Sequence, residues 1–73
     1  MYERVRNLRE DRDLTQREIA ELLNCTQVCY SNYEIGKRDI PAHVLAALAD
    51  YYGVSVDYLL GLTDEPRPYP RAR

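Results

Sequence analysis

The stretch LTQREIAELLNCTQVCYSNYEIG, residues 14–36, predicts two short helices joined by a very short connection. Thr15 and Glu18 have the spacing of a capping box, in which the threonine hydroxyl accepts from the Glu18 amide and the glutamate reaches back. We therefore expect a helix over Thr15–Leu23, whose core face has Ile19, Leu22 and Leu23. Thr26 can cap a second helix over Thr26–Ile35, which Gly36 ends.

The connection between these helices requires them to cross at a steep angle. Ala20 supplies a small residue where they approach, and Asn24 suits the left-handed backbone that the tight turn needs. Cys25 is expected to point inward as a small apolar side chain. Tyr30 and Tyr33 would anchor the later helix from behind. The opposite face of that helix stays free of the core, and it comprises Gln27, Val28, Ser31 and Asn32.

The rest of the chain predicts three more helices and no strand. Val5 and Leu8 lie in a run of helix formers over Tyr2–Arg12. Pro41 suits the first turn of a fourth helix that ends before Gly53, with Leu45, Leu48, Ala49 and Tyr52 on its apolar face. Ser55 can cap a short fifth helix closed by Gly61. The fold class is therefore predicted to be all-α.

Composition limits the chain to one small domain. It has 73 residues, 45% of them hydrophobic, and a net charge of −2. No apolar run is long enough to cross a bilayer, and the charged N-terminus lacks the apolar core of a secretory signal, so we expect a cytoplasmic protein. Two cysteines four residues apart are too few for a disulfide framework and lack companions for a zinc site.

The acidic balance is unevenly distributed. Residues 1–40 have seven bases and eight acids, residues 41–65 have four acids and no base, and residues 66–73 have three arginines and no acid. The excess of acid thus lies outside the helix pair. Net charge does not exclude nucleic acid as a ligand; it predicts weak binding to non-specific sequences.

Nothing in the sequence indicates an enzyme. No nucleophile has a base at a recognisable spacing, no glycine-rich phosphate loop occurs, and His43 stands alone on an exposed helix face. We therefore expect no catalytic residue, no cofactor and no metal.

The free face of the later helix has the chemistry to read DNA. Glutamine and asparagine can each bond an adenine edge with two hydrogen bonds, serine can donate or accept, and valine can contact a thymine methyl. A short helix anchored from behind fits the major groove. From these residues alone, a solvated polar face that touches nothing is an equally good interpretation.

A family resemblance decides between these two interpretations. Residues 2 to 62 closely resemble the phage-repressor-like helix-turn-helix family, the Cro- and Xre-type transcriptional regulators. The matching motifs are Leu14-Thr15-Gln16-x-x-Ile19-Ala20-x-x-Leu23, Tyr30-Ser31-x-Tyr33-Glu34-x-Gly36-Lys37-Arg38, Ile40-Pro41, Leu45-x-x-Leu48-Ala49 and the ending Val54-Ser55-Val56-Asp57-Tyr58-Leu59-Leu60-Gly61. The resemblance implies a five-helix, lambda-repressor-like DNA-binding domain over residues 1–62, followed by a Pro/Arg-rich tail, residues 63–73, which we expect to be disordered.

The resemblance also assigns roles to residues. Gln27, Val28 and Asn32 match positions that read base edges, and Ser31 matches a contact with the groove wall. The DNA backbone would be held by Gln16, Arg17, Lys37 and Arg38. Arg9 and Glu34 match a structural ion pair that fixes the recognition helix. One departure is Ile35, where relatives often have Asn or Arg, so the resemblance does not imply a side-chain phosphate contact there. Another is the apolar pair Val28 and Cys29, which favours thymine methyls.

The function implied is that of a repressor. We expect a whole small repressor, without an appended sensor domain, that binds a near-palindromic double-stranded DNA operator as a homodimer. The dimer surface is expected on the fourth and fifth helices, at Tyr51, Tyr58 or Leu62. One alternative is an antitoxin or another protein-interaction module on the same scaffold, with residues 63–73 binding the protein partner. A scaffold that has lost DNA binding is a third.

Overall fold

The structure, a computed structural model, describes residues 2–68 and consists of five helices. They are α1 (Glu3–Asp11), α2 (Gln16–Leu22), α3 (Gln27–Glu34), α4 (Ala42–Tyr52) and α5 (Val56–Leu59). No strand occurs among these residues. The predicted all-α, five-helix fold is confirmed. No helix in the same range is long and apolar enough to span a membrane.

Side-chain caps fix where three of the helices begin. The Thr15 hydroxyl accepts from the Glu18 amide at 3.1 Å, and the Thr15 amide donates to the Glu18 carboxylate at 2.9 Å, which confirms the capping box. Thr26 accepts from the Cys29 amide at 3.1 Å. Ser55 caps α5 in the same way. The threonines and the serine are therefore caps just outside the helices, so α2, α3 and α5 begin one residue later than their caps.

All five helices end in the same left-handed turn. The residues with positive φ are Asp13, Asn24, Gly36, Gly53 and Gly61, with φ between 55° and 80°. After α2, the amides of Asn24 and Cys25 donate to the carbonyls of Glu21 and Ala20, the hydrogen-bond pattern of a Schellman motif. This confirms the left-handed backbone expected at Asn24. Such compact endings let short helices follow one another closely.

The core lies where the five helices meet. Its largest fully buried side chains are Tyr30, Ile19, Leu48, Leu59 and Val5. Ala20 is buried on α2, and α2 contacts α3. Cys25 is half-buried against this core.

The prediction that Leu22 faces the core is wrong. Its side chain is 53% exposed, whereas Ile19 and Ala20 are buried. At about 100° per residue, the buried arc of α2 is centred between these two residues, and Leu22 lies outside it. A similar shift occurs on α4, where Val44 is buried and Leu45 only partly.

The first residues of the expected tail lie against the helices. The Arg4 guanidinium donates to the carbonyls of Tyr58 and Thr63 and pairs with the Asp64 carboxylate at 2.7 Å. The Ser55 amide donates to the Pro66 carbonyl at 3.0 Å. Residues 63–68 form neither helix nor strand. The remainder of the segment expected to bind a protein partner, residues 69–73, lies outside the described residues.

Candidate nucleic-acid interface

A buried ion pair holds α3 against α1. Glu34, on α3, is 3% exposed, and its two carboxylate oxygens accept from Arg9 Nε at 2.9 Å and Nη2 at 3.0 Å. A third guanidinium nitrogen of Arg9 donates to the Leu14 carbonyl at 2.7 Å. The pairing joins α1, the loop that follows it and α3, so it sets where the rest of α3 lies.

The electrostatics of this pair favour both charged forms. Burial alone would raise the pKa of Glu34, but its hydrogen bonds from Arg9 and Gln16, together with the nearby Tyr30 hydroxyl, outweigh burial and hold that pKa below its usual value. The hydrogen bond to Glu34 in turn raises the pKa of Arg9. Burial, followed by the neighbouring carboxylate, raises the pKa of Tyr30 well above its usual range. Glu34 is therefore an anion, and Tyr30 a neutral phenol, across the ordinary pH range.

The opposite face of α3 is turned to solvent. Gln27 is exposed, Val28 is 71% exposed, and Ser31 and Asn32 are half-buried. An open, shallow concavity of about 370 Å³ is lined by these four residues together with Gln16. The residues predicted to read bases thus share one surface with one of the residues predicted to hold the DNA backbone.

Gln16 connects this concavity to the buried ion pair. Its side-chain amide nitrogen donates to Glu34 Oε1 at 3.3 Å. The buried carboxylate therefore orients a side chain that lines the exposed surface. Sequence reasoning missed this hydrogen bond, because no spacing rule relates the first residue of one helix to the last residue of the next.

The loop after α3 presents two cations beside it. Gly36, at φ 80°, turns the chain, and the amides of Lys37 and Arg38 both donate to the Asn32 carbonyl, at 2.9 and 3.2 Å. Both basic side chains are exposed. These hydrogen bonds hold the backbone of the two cationic residues against Asn32, which lines the concavity.

Among the residues predicted to bind the DNA backbone, Arg17 differs in that it already has an ion-pair partner. Its side chain is exposed on α2 and pairs with Glu21 one turn further along at 3.4 Å. Like Lys37 and Arg38, it does not line the concavity. A mostly solvated pair of this kind is weak, so the arginine can exchange its partner at little cost.

The two cysteines are half-buried free thiols, Cys25 in the turn between α2 and α3 and Cys29 in the first turn of α3. Within residues 2–68, no group of three or more His, Cys, Asp or Glu side chains is placed to hold a metal ion.

Comparisons with known proteins identify helix-turn-helix proteins as similar to this chain. The sequence profile of a helix-turn-helix domain family matches residues 3–67. Among curated proteins, the chain is 44% identical over 69 residues to the uncharacterized HTH-type transcriptional regulator YobD of Bacillus subtilis (strain 168), covering 93% of this chain and 62% of that protein. It is 43% identical over 58 residues to the HTH-type transcriptional regulator ImmR of the same organism, covering 80% of this chain and 46% of that protein. The chain thus spans about half to two thirds of the length of these relatives. No solved structure matches it significantly.

Proposed function

The chain belongs to the helix-turn-helix family of DNA-binding transcriptional regulators, which are not enzymes, and from this premise we propose that it is a repressor of a near-palindromic operator. The observation that carries the proposal is the concavity on α3, where Gln27, Val28, Ser31 and Asn32 meet Gln16. Because the proposed target is double-stranded DNA, we also propose a cytoplasmic location.

In this proposal the two faces of α3 have separate tasks. Tyr30 and Glu34 hold the helix from behind, and the polar face enters the major groove. Gln27 and Asn32 each offer an amide that can bond an adenine edge, and the exposed Val28 side chain can contact a thymine methyl. Phosphates are bound by Lys37, Arg38 and Gln16, which fixes the register of the protein on the DNA. Arg17 becomes a further phosphate ligand when it leaves its ion pair with Glu21.

Two copies would bind one operator. A symmetric dimer that reads half-sites one helical turn apart sets its recognition helices about 34 Å from each other. Apolar side chains suited to the dimer contact remain exposed on and after α4 and α5, at Tyr51 and Leu62. Tyr58 is less available, since it is half-buried and the Arg4 guanidinium lies over its ring at 4.2 Å.

Selection of binding sites from a random oligonucleotide pool tests the proposal. The wild type is expected to enrich one motif with two inverted halves. Each of Gln27→Ala and Asn32→Ala should lower affinity for that motif by about 1–3 kcal/mol and relax the preference at one base position in each half. His43→Ala, an exposed substitution on α4, is the control and should leave affinity and motif unchanged.

Two results would count against the proposal. A pool with no enriched motif would remove the case for a sequence-specific repressor. An enriched motif without inverted symmetry, together with a monomer in sedimentation at high micromolar concentration, would remove the homodimer and leave a monomeric regulator.

A further inference from the structure

We propose that residues 69–73, Tyr-Pro-Arg-Ala-Arg, bind to an open groove between α4 and α5 of their own chain. The groove has a volume of about 1060 Å³. It shares no lining residue with the concavity on α3, so its occupation does not depend on DNA binding. The residues that line this α4–α5 groove include Ala46, Ala47, Asp50, Val54, Val56 and Asp57.

The segment 63–68 places the chain at the α4–α5 groove. The Arg4 guanidinium holds the beginning of this segment, where it donates to a backbone carbonyl and to a carboxylate. Further along, the Pro66 carbonyl accepts from the Ser55 amide at 3.0 Å. Both Ser55 and Pro68 line the groove. The next residue of the chain therefore starts inside the groove, without any rearrangement of the helices.

The surface of the groove has small apolar side chains. Ala46 and Ala47 are exposed on α4, and Val56 is half-buried at the start of α5. Methyl groups leave room above the helix for a flat ring, and burial of apolar surface is favourable. Tyr69 follows the residue that already lines the groove, so its ring is the first able to pack on the alanines.

The charges of the groove and of residues 69–73 are opposite. Asp50 and Asp57 line the groove, and no Lys or Arg among the described residues does so. Residues 69–73 have Arg71 and Arg73 and no acid. The arginines can therefore approach the two carboxylates while the apolar side chains pack on the alanines, and both kinds of contact favour the same occupant.

Residues 69–73 are also long enough to cover the groove. Along α4, Ala46 and Gly53 are about 10 Å apart at a rise of 1.5 Å per residue, and five extended residues span up to about 17 Å. A short attached segment has an effective concentration on the order of millimolar, which a second copy at micromolar concentration does not reach. Tyr51 and Leu62, the proposed dimer contacts, do not line the groove and stay available. A protein partner that binds residues 69–73 must first displace them.

Nuclear magnetic resonance of the full chain, without DNA, tests the proposal. Ring protons of Tyr69 should give nuclear Overhauser effects to the methyl groups of Ala46 or Ala47. A mixture of isotope-labelled and unlabelled chains separates effects within one chain from effects between two chains. The expected effects are those within one chain, and they should be unchanged when the protein is diluted.

Two pairs of substitutions test the contribution of charge. Arg71→Gln/Arg73→Gln removes the two positive charges of residues 69–73, so the Overhauser effects should lose most of their intensity. Arg6→Gln/Arg67→Gln is the matched control. It removes two charges from exposed ion pairs on residues that do not line the groove, and the effects should keep their intensity.

Three results would overturn the proposal. Absence of the effects in the wild type would leave the groove without this occupant. Effects only between labelled and unlabelled chains would assign the groove to a second copy. Equal losses in both pairs of variants would reject the match of charges. None of these results bears on the proposed function, which the selection of binding sites decides separately.

Discussion

Removal of the Arg9 charge should destabilise this protein more than any loss of a surface ion pair. The Glu34 carboxylate is 3% exposed and accepts two hydrogen bonds from Arg9, at 2.9 and 3.0 Å. In Arg9→Met, the aliphatic stem is replaced by a chain of similar shape, but the buried carboxylate keeps only the 3.3 Å hydrogen bond from Gln16. Breaking a buried pair from one side costs about 3–5 kcal/mol, because the remaining charge is desolvated and unpaired.

That loss is large relative to the whole stability of the domain. A chain of this length has a free energy of unfolding on the order of 4–11 kcal/mol, so Arg9→Met should remove about half of it. The assay is urea unfolding followed by circular dichroism, with the linear extrapolation applied at pH 7. The double variant Arg9→Met/Glu34→Leu removes both charges, and we expect it to recover to within about 1–2 kcal/mol of the wild type.

The control is an ion pair of the same residue types in solvent. Arg6 and Glu10 pair at 3.4 Å on α1, and both side chains are about half exposed. Arg6→Met should therefore change the free energy of unfolding by less than about 0.5 kcal/mol. If Arg9→Met cost as little as Arg6→Met, or if the double variant were no more stable than Arg9→Met, the reasoning about an unpaired buried carboxylate would be refuted.

Three further predictions concern pH, salt and the backbone. Because the pKa of Glu34 in the folded protein lies below its usual value of 4.5, its contribution to stability is complete above about pH 4.5 and is lost as pH falls through the folded pKa. In urea unfolding from pH 7 to 3, the free energy of unfolding should therefore fall more steeply for the wild type than for Arg9→Met/Glu34→Leu. Equal dependence on pH in the two proteins would contradict this prediction. Lys37→Ala and Arg38→Ala should each weaken binding to all DNA sequences alike and lower the slope of log affinity against log salt by about one, whereas a base-specific loss would reject a backbone role. Gly53→Ala should lower the free energy of unfolding by about 1–2 kcal/mol, because φ at this position is 69°, a left-handed conformation that is unfavourable for alanine. A new Cβ would meet no atom within 4 Å, so backbone strain is the whole expected effect. An unchanged unfolding midpoint would show that this turn tolerates a side chain.

The helices could be predicted from the sequence because residues close by in the chain determine where each helix begins and ends. Thr15, Thr26 and Ser55 each cap the helix that follows them, and Asn24 and Gly36 each take the left-handed conformation that ends the helix before them. Caps and turns depend on a few neighbouring residues, so they can be read without knowledge of the tertiary structure. Leu22 could not be placed in this way, because which arc of α2 is buried depends on how α3 crosses it.

The candidate site was only partly accessible to the same reasoning. The free face with Gln27, Val28, Ser31 and Asn32 follows from the residue pattern, whereas the role of Gln16 comes from the family resemblance. That these residues share one surface follows from the structure. The hydrogen bond from Gln16 to Glu34 was not predictable, because it joins residues of two helices whose relative position is set by packing.

The division of α3 into two faces has a consequence for how specificity can change. Tyr30 and Glu34, four residues apart, supply the fully buried contacts of this helix, one apolar and one ionic. Gln27 and Val28 contribute little to the core, because both are exposed. Exposed side chains away from the core usually alter stability by less than about 0.5 kcal/mol when substituted. The anchoring of α3 is thus separate from the chemistry that α3 presents, so under the proposed function an exchange of exposed residues would change the bases that are read without new demands on the fold.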